Sequence, residues 1–268
     1  MKARLPPLDF SQSLPAWSPN REFAHMFNAF SVIIMQLEPY LNRVAARVRD
    51  QLPADDPLRD ELAVFIRQEA AHTRLHRAYN QALYHAGYDR LPGIEQDLAA
   101  EYRGFLDHKS LRWNAGYAQG FEVLGPLYAE FIFEHVDDLL DGADAQVADL
   151  WRWHLAEEYE HRMVAHQSYY RMGGSYLHRL WITWTTLRHL GRFNARAERH
   201  MLKADAQKLT PQQRRASRKR TRQVHRRLGW FLLRKVLPVL LPGYTPAHLP
   251  MPAGARRLLE RMDGMDLA

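Results

Sequence analysis

The chain has 268 residues, of which 46% are hydrophobic and 25% charged, and its formal net charge is +7. This composition is typical of a globular protein with a sizeable core, organised as one large domain or two small ones. The absence of cysteine excludes disulfides, thiolate metal sites and cysteine nucleophiles, so any metal must be bound by His, Asp, Glu or water, a donor set that suits Fe, Mn or Zn.

The N-terminal sequence predicts neither a signal peptide nor a membrane-spanning segment. Its charges are not followed by the apolar stretch of a signal peptide. No uninterrupted apolar window of about 18 residues occurs anywhere, so no transmembrane helix is expected. We therefore predict a cytoplasmic protein, in which the proline-rich residues 1–20 form an arm that packs on a surface or stays loose.

Helical periodicity extends from Glu22 to Asp50 and contains an apolar stripe that Glu38 continues. Pro39 follows and is expected to kink the helix or to start a new segment. A carboxylate on an apolar stripe destabilises a core unless it is paired. Glu38 is therefore either paired inside the protein or, if the kink turns it outward, exposed to water.

Four more helices are predicted up to residue 174. They cover about 58–85, 94–108, 110–140 and 143–172, and the one at 94–108 lacks ligand-type pairs. The inward line of the 110–140 helix consists mostly of small residues, which allow a close neighbour: Ala115, Gln119, Glu122, Pro126 and Ala129. No alternating β-branched run competes with these patterns, and we predict an all-α protein.

Two of these helices carry a carboxylate and an imidazole one turn apart. Glu69 and His72 form the first pair, and Glu158 and His161 form the second. Because side chains three residues apart leave the same face of a helix, each pair can bind one cation. A single pair of this kind is more often structural, so the metal hypothesis depends on finding partners for both.

Glu38 and Glu122 provide these partners on two other helices. In ferritin-like bundles, two helices contribute one Glu each and the other two contribute a Glu-x-x-His pair each, in the order that this chain shows. We therefore predict a ferritin-like four-helix metal-binding bundle at 21–174, with a long crossover between its two hairpins. Residues 175–268 are predicted to form additional C-terminal helices packed on the bundle.

Electrostatics supports a dinuclear centre. Four carboxylates buried together repel one another and cannot all stay ionised, whereas two divalent cations cancel their charge. We expect Glu69 and Glu158 to bridge two metals about 3.5–4 Å apart. The predicted metal ligands are Glu38, Glu69, His72, Glu122, Glu158 and His161.

Alternatives stay open at two of these positions. Glu157 or Glu160 could replace Glu158, although only Glu158 stands three residues before the second histidine. Glu130 could compete with Glu122, but it lies off the line of small residues.

Three further residues are candidate catalytic groups. His76 and His154 lie on the inward faces of their helices and could be hydrogen-bond donors to the ligands, extra ligands or acid–base groups. Together with Glu157 they could shuttle protons during a hydrolytic reaction.

The runs at 65–72, 76–80 and 153–161 resemble a bacterial family labelled predicted metal-dependent hydrolases, which is similar to the ferritin-like di-iron carboxylate proteins. The resemblance covers roughly residues 20–250. The chain departs from the family pattern beside two of the predicted ligands and at Gln167. The resemblance implies metal-ligand roles for Glu69, His72, Glu158 and His161, and extends them to Glu38 and Glu122.

The C-terminal third begins with a predicted helix at about 175–202 and continues with a basic run at 214–227, which explains the isoelectric point of about 9.7. Residues 228–242 are then rich in Leu, Trp and Phe. One interpretation is a solvated basic helix, followed by an apolar segment at 228–242 that packs on the bundle. Another is peripheral contact of 214–242 with the inner face of a membrane, which would favour a lipid-like substrate. Nucleic-acid binding is disfavoured, because no recognisable binding fold accompanies the charge.

Two reaction classes suit a dinuclear carboxylate centre. Our first hypothesis is a di-iron enzyme that activates O2 to oxidise a small organic, lipid-like molecule, with electrons from an external donor because no flavin or nicotinamide motif is present. The alternative is a metal-dependent hydrolase that uses a metal-activated bridging water. A non-enzymatic metal-binding helical protein is the second alternative. We expect two iron ions, with Mn/Fe or Zn as alternatives, and a homodimer is a candidate assembly.

Overall fold

The computed structural model describes residues 1–263, and these residues form helices and connecting turns without a strand. The all-α prediction is therefore confirmed for this part of the chain. The end of the predicted C-terminal extension, 264–268, lies outside the described residues. The helices are α1 (Arg21–Gln51), α2 (Leu58–His85), α3 (Leu91–His108), α4 (Leu111–Glu122), α5 (Leu124–Glu134), α6 (Asp137–Leu140), α7 (Ala145–Arg171), α8 (Tyr176–Ala206), α9 (Pro211–Val236) and α10 (Ala253–Asp263).

Several helices begin where a short polar side chain can cap them. The side chain of Asn20 accepts a hydrogen bond from the backbone N–H of Phe23 at the start of α1, and Asp144 caps α7 in the same way. Thr210 and Gln213 form a reciprocal capping box at the start of α9. These contacts satisfy backbone donors that the first turn of a helix leaves free.

Four helical segments enclose the centre of the molecule. α1 packs against α2 after the short turn at 52–57, and α4 and α5 both pack against α7. Contacts between α2 and α7 and between α1 and α4 join the two pairs, and α3 lies in the crossover and packs on α1. This is an all-α bundle with the predicted long crossover. Its relationship to ferritin-like proteins stays a prediction.

The two prolines inside predicted helices behave differently. α1 continues through Pro39, so the expected new segment does not occur, and the carboxylate of Glu38 is fully buried rather than turned to water. The predicted 110–140 helix is instead divided into α4, α5 and α6. Its first break falls at Val123, where Gly125 weakens the helix and Pro126, in the first turn of α5, lacks a backbone donor.

The remaining segments cover the bundle. α8 packs on α1 and α4, α9 packs on α1 and α5, and α10 packs on α5 and α7. The N-terminal arm also packs, because Phe10 and Trp17 are buried and the indole N–H of Trp17 donates a hydrogen bond to Asn28. The division into an arm, a bundle and an extension stays a prediction.

Among the described helices, none combines the length and apolar character needed to cross a bilayer. A cytoplasmic location, contact of 214–242 with a membrane, the absence of nucleic-acid binding and a homodimer all stay predictions.

Candidate metal centre

Seven buried side chains from α1, α2, α4 and α7 converge inside the bundle. They form two groups in which one ligand atom from each residue lies within 4.8 Å of the others. The first group consists of Glu38, His72, His154 and Glu158, and the second of Glu69, Glu122, Glu158 and His161. Because Glu158 belongs to both groups, its carboxylate is placed to be shared by two cations.

All six ligands predicted from the sequence lie in these groups, and each of their residues is at most 2% exposed. His154, one of the candidate catalytic residues, lies in the first group, which corresponds to the extra-ligand alternative. Glu69 belongs to the second group only, and its expected role as a second bridging carboxylate stays a prediction. The metal-ligand roles themselves stay predictions.

The alternative carboxylates lie elsewhere. Glu157 faces the outer side of His72, and Glu160 forms an ion pair with Arg4. Glu130 is half-buried and pairs with Lys235 on the other side of α5. The geometry therefore favours Glu158 as the carboxylate that faces both groups.

Several distances within the groups approach those of ligand atoms around a cation, whereas Glu38 and Glu122 lie farther out, 3.9 Å from Nδ1 of His72 and 3.8 Å from Nδ1 of His161. In the second group, Nδ1 of His161 lies 2.9 Å from Oε1 of Glu69 and 3.5 Å from Oε1 of Glu158. In the first group, Oε1 of Glu158 lies 3.6 Å from Nδ1 of His72 and 3.4 Å from Nε2 of His154. Atoms that bind one metal at about 2.0–2.2 Å are separated by roughly 3 Å, so small adjustments complete each set.

The hydrogen bonding of the centre fits a metal. Within residues 1–263, ten buried nitrogen and oxygen atoms of these seven side chains lack a hydrogen-bond partner. Such atoms destabilise a core unless something binds them. They include both carboxylate oxygens of Glu69, Glu122 and Glu158, and the inward-facing nitrogens of the three histidines.

The charge of the centre leads to the same conclusion. Within the described residues, the ion-pair partners of the four carboxylates are histidines only, and neither Arg nor Lys is among them. Burial and the charges of Glu69 and Glu158 raise the pKa of Glu38 well above its usual range. Burial and the charge of Glu158 raise the pKa of Glu122 in the same way. Contacts with Glu157 and Glu158 raise the pKa of His72 to about 9 although burial opposes this, so in the metal-free protein the positive charge comes from histidine. Clustered carboxylate and imidazole donors suit Fe, Mn or Zn.

A chain of hydrogen bonds fixes the orientation of His154. The amide nitrogen of Asn80 donates to the carbonyl oxygen of Ser31, so its Oδ1 accepts from the Ser31 hydroxyl at 2.6 Å. That hydroxyl then accepts from Nδ1 of His76 at 2.8 Å, and Nε2 of His76 accepts from Nδ1 of His154 at 2.9 Å. Nε2 of His154 consequently keeps its lone pair, which points to Glu158.

His76 therefore contacts the first ligand group only through the ring of His154. Both of its ring nitrogens are hydrogen-bonded, and its side chain is fully buried. Burial and the neighbouring His154 lower the pKa of His76 well below its usual range, so the ring is neutral. Its geometry suits positioning of His154. A role in proton transfer stays a prediction.

The other two imidazoles are held in the same manner. Nε2 of His72 lies 3.1 Å from Glu157, and Nε2 of His161 lies 3.3 Å from the amide oxygen of Gln68. Each ring thus donates its outer N–H and presents Nδ1 to the centre. Metal-binding histidines typically carry such a partner, which fixes the ring and its tautomer.

The N-terminal arm also contacts this outer layer. The guanidinium of Arg4 is 5% exposed and binds Glu157 at 3.0 Å, Glu160 at 3.1 Å and Asp263 of α10 at 2.7 Å. Arg4 thereby compensates the carboxylate that orients His72. No periodicity or spacing marks Arg4 within the arm, so its role could not be predicted from the sequence.

Gly125 was missed as well, although it lies beside the line of small residues. A Cβ atom at this position would lie 3.1 Å from the Cβ, the carbonyl oxygen and Oε2 of Glu158. A side chain at this position would push the shared carboxylate or its backbone away by a few tenths of an ångström, so glycine favours the close approach of α5. The Gly-Pro pair that follows Glu122 in the sequence was the available signal.

Comparison with known proteins agrees with the donor set. The model of a family described as predicted metal-dependent hydrolase matches residues 2–249, which include every residue of both ligand groups. No curated protein and no solved structure matched the chain. The match covers most of the sequence, and the chain belongs to the family of predicted metal-dependent hydrolases.

Proposed function

We propose that the chain is a hydrolase with a dinuclear metal centre and that it cleaves a carboxylic ester. The observation that carries this proposal is the position of Glu158 in two adjoining groups of buried, unpartnered ligand atoms. Membership of the metal-dependent hydrolase family supports it. The metal-ligand residues are Glu38, Glu69, His72, Glu122, His154, Glu158 and His161. Metals bound there would acidify a water molecule and polarise the ester carbonyl.

The protein's own groups have three tasks in this mechanism. The four carboxylates neutralise the metal charge, and the hydroxyl of Thr73 holds one oxygen of Glu38 at 2.8 Å. The imidazoles would bind a metal through their inward nitrogens, while Glu157, Gln68 and His76 hold their outer nitrogens. His72 and His161 would each release a proton on metal binding, because contacts with carboxylates raise the pKa of both rings against the effect of burial. The buried surroundings exclude bulk water, which strengthens every electrostatic contact in the site.

The test combines metal analysis with hydrolysis of 4-nitrophenyl esters. We expect about two metal ions per chain, and ester cleavage that a chelator abolishes and added metal restores. Glu158→Gln should lose both metal and activity. Glu22→Gln, a variant in a buried carboxylate that belongs to none of the candidate metal groups, is the control and should retain both. Metal-loaded protein that cleaves no ester would refute the proposed reaction, and normal metal content in Glu158→Gln would refute the site.

A second candidate is a di-iron enzyme that activates O2. It is favoured by the order Glu, Glu-x-x-His, Glu, Glu-x-x-His along the chain, which di-iron carboxylate bundles share. Fe(II)-loaded protein should then develop an O2-dependent absorption band and oxidise an organic substrate when an electron donor is added. A Zn-loaded protein that cleaves esters, together with an Fe-loaded protein that shows no O2-dependent change, would decide for hydrolysis.

A further inference from the structure

An apolar cleft lies between α8 and α9, with α1 and α5 as its floor. Its volume is about 630 Å³, within the range of ligand-binding cavities. Its walls are mostly aliphatic, represented by Leu187 and Leu190 of α8 and by Leu228 and Leu232 of α9. The acidic group that lines it, Glu198, is paired with His225 at 2.9 Å and leaves no free charge within the cleft.

The cleft is open to solvent along α9 and the turn that follows it. Leu233 and Leu237 line it and are each 57% exposed, and Leu240 is 48% exposed. Exposure of several large aliphatic side chains around one concave surface is unfavourable in water and typical of a binding site. The walls offer dispersion contacts and few hydrogen bonds, so the matching ligand group is a hydrocarbon chain.

The cleft adjoins the candidate metal centre at the break between α4 and α5. Leu124 forms part of the floor and stands between Glu122, a member of the second ligand group, and Gly125, which abuts Glu158. The floor of the cleft and the approach to the shared carboxylate are therefore formed by neighbouring residues of the same helix start.

A second part of the floor leads to the same place. Phe30 lines the cleft and stacks on Trp151, with the ring centres 6.0 Å apart. Trp151 in turn contacts the rings of His76 and His154, at 4.8 Å and 5.8 Å. The ring of Trp151 therefore connects Phe30, in the floor of the cleft, to His154 of the first ligand group.

We propose that this cleft binds the acyl chain of the substrate and directs its ester group past Leu124 to the metal centre. This inference rests on the proposed function and specifies its substrate as an ester of a long-chain fatty acid. In the reaction, the bond between the acyl carbon and the ester oxygen breaks, and a water oxygen bonds to the acyl carbon. The alcohol leaves with one proton of the water, and the fatty acid keeps the other.

Two glycines allow the cleft to be filled. Gly191 of α8 and Gly229 of α9 both line it, and a Cβ atom at either position meets nothing within 4 Å. Phenylalanine at either position would occupy the cleft without a clash of its Cβ, and it favours a helix more than glycine does. Gly104 of α3 lies outside the cleft and has the same open surroundings, so Gly104→Phe is the matched control.

The test titrates metal-free protein with the fluorescent fatty acid cis-parinaric acid. Wild type and Gly104→Phe should bind it with equal affinity. Gly191→Phe and Gly229→Phe should bind it at least about tenfold more weakly, because the hydrocarbon chain of the fatty acid loses apolar contacts. Failure of wild type to bind, or equal binding by the filled variants, would overturn the proposal. Because this measurement needs neither metal nor catalysis, it stands apart from the test of hydrolysis.

A second measurement tests whether the cleft binds the acyl chain of the substrate during the reaction. The kcat/KM of metal-loaded wild type and Gly104→Phe should rise from 4-nitrophenyl acetate to the decanoate, and this rise should disappear in Gly191→Phe. Ester cleavage with no dependence on chain length would overturn the cleft proposal and leave hydrolysis intact. Binding of the fatty acid without any ester cleavage would support the cleft and refute the proposed function.

Discussion

Buried carboxylates occur in two regions of this protein, and the protein treats them in opposite ways. At the start of α1, Glu22 is 1% exposed and is held by the guanidinium of Arg220 through two hydrogen bonds, at 2.5 and 2.9 Å, with Arg21 at 3.2 Å. Although burial opposes its ionisation, the contacts from Arg220 lower the pKa of Glu22 to about 2. In the metal centre, burial and like charges instead raise the pKa of Glu38 and Glu122.

The difference separates a structural carboxylate from a candidate metal ligand. Where a buried carboxylate joins two helices, as Glu22 joins α1 to α9, an arginine on the neighbouring helix supplies the positive charge. In the centre, the same residue type meets further carboxylates and imidazoles, and within the described residues neither arginine nor lysine approaches it. There His72 and His161 carry positive charge in the metal-free protein, because contacts with the carboxylates raise the pKa of both rings against the effect of burial, and bound cations would replace this charge.

The largest expected effect is on metal binding. Glu158→Gln removes the charge that both ligand groups share, so we expect both metals to be lost together. Affinity should fall by more than about 100-fold, since even the hydrogen-bond partners of metal ligands contribute about 10–100-fold. Metal titration monitored by mass spectrometry or calorimetry measures this. Glu22→Gln is the contrasting control and should bind metal normally. Retention of one tightly bound metal in Glu158→Gln would show that the carboxylate is not shared.

The two regions should respond with opposite sign when one charge is removed from metal-free protein. Glu122→Gln relieves repulsion from Glu158 and should raise the free energy of unfolding by about 1–4 kcal/mol. Glu22→Gln leaves Arg220 without its partner and should lower the free energy of unfolding by a similar amount, about 1–3 kcal/mol. Chemical denaturation after chelation gives both values. Destabilisation by both variants would remove the distinction between the regions.

Lowering the pH should remove the stability that the pair of Glu22 and Arg220 contributes. The pKa of Glu22 is depressed to about 2 from an ordinary 4.5, so its pair with Arg220 contributes stability above pH 4.5 that is lost as the pH falls towards 2. Arg220 is 42% exposed, and screening by solvent limits the effect to about 1 kcal/mol. Arg220→Ala should therefore be less stable than wild type at neutral pH and approach it as the pH falls.

The control for this experiment is Arg218→Ala, which removes an exposed arginine from the same helix. Its difference in unfolding free energy from wild type should be small at every pH. An Arg220→Ala deficit that stays constant down to the acid limit would mean that the ion pair does not set the pKa of Glu22.

Local pattern was sufficient to predict the features that depend on one helix at a time. The predicted helix from Leu58 to His85 has the bounds that the structure shows, and the Glu69–His72 pair faces inward because three residues span nearly one turn. The order of the ligands along the chain then predicted which helices must meet. These inferences use only periodicity and spacing, which a sequence contains directly.

Features that depend on contacts between distant segments were not predictable in the same way. Arg4 reaches Glu157 from the far end of the chain, and Gly125 is required by the approach of α7 rather than by its own turn. Proline shows the limit most clearly. Pro39 lies within an unbroken helix whose neighbouring side chains are buried, whereas Pro126 follows a glycine and begins a new one. The residue type is the same, and the packing decides the result.

The smallest expected effect concerns His154, which differs from His72 and His161 in carrying no positive charge in the metal-free protein. Burial and the charge of His72 lower the pKa of His154 to about 4, so this ring is neutral and cannot compensate Glu158 as Arg220 compensates Glu22. The contribution of His154 to metal binding depends instead on the lone pair at Nε2. The hydrogen bonds through His76 and Ser31 keep this lone pair directed at the centre.

Ser31→Ala removes the acceptor that fixes the tautomer of His76 and should weaken metal binding by no more than about tenfold, because it acts on the ligand through an intermediate ring. Ser31→Thr retains the hydroxyl and should restore most of the affinity, whereas a general loss of packing would not recover in this way. Metal titration of both variants, with unfolding measured in the metal-free state, separates the two causes. Unchanged affinity in Ser31→Ala would mean that His154 keeps its orientation without this chain of hydrogen bonds.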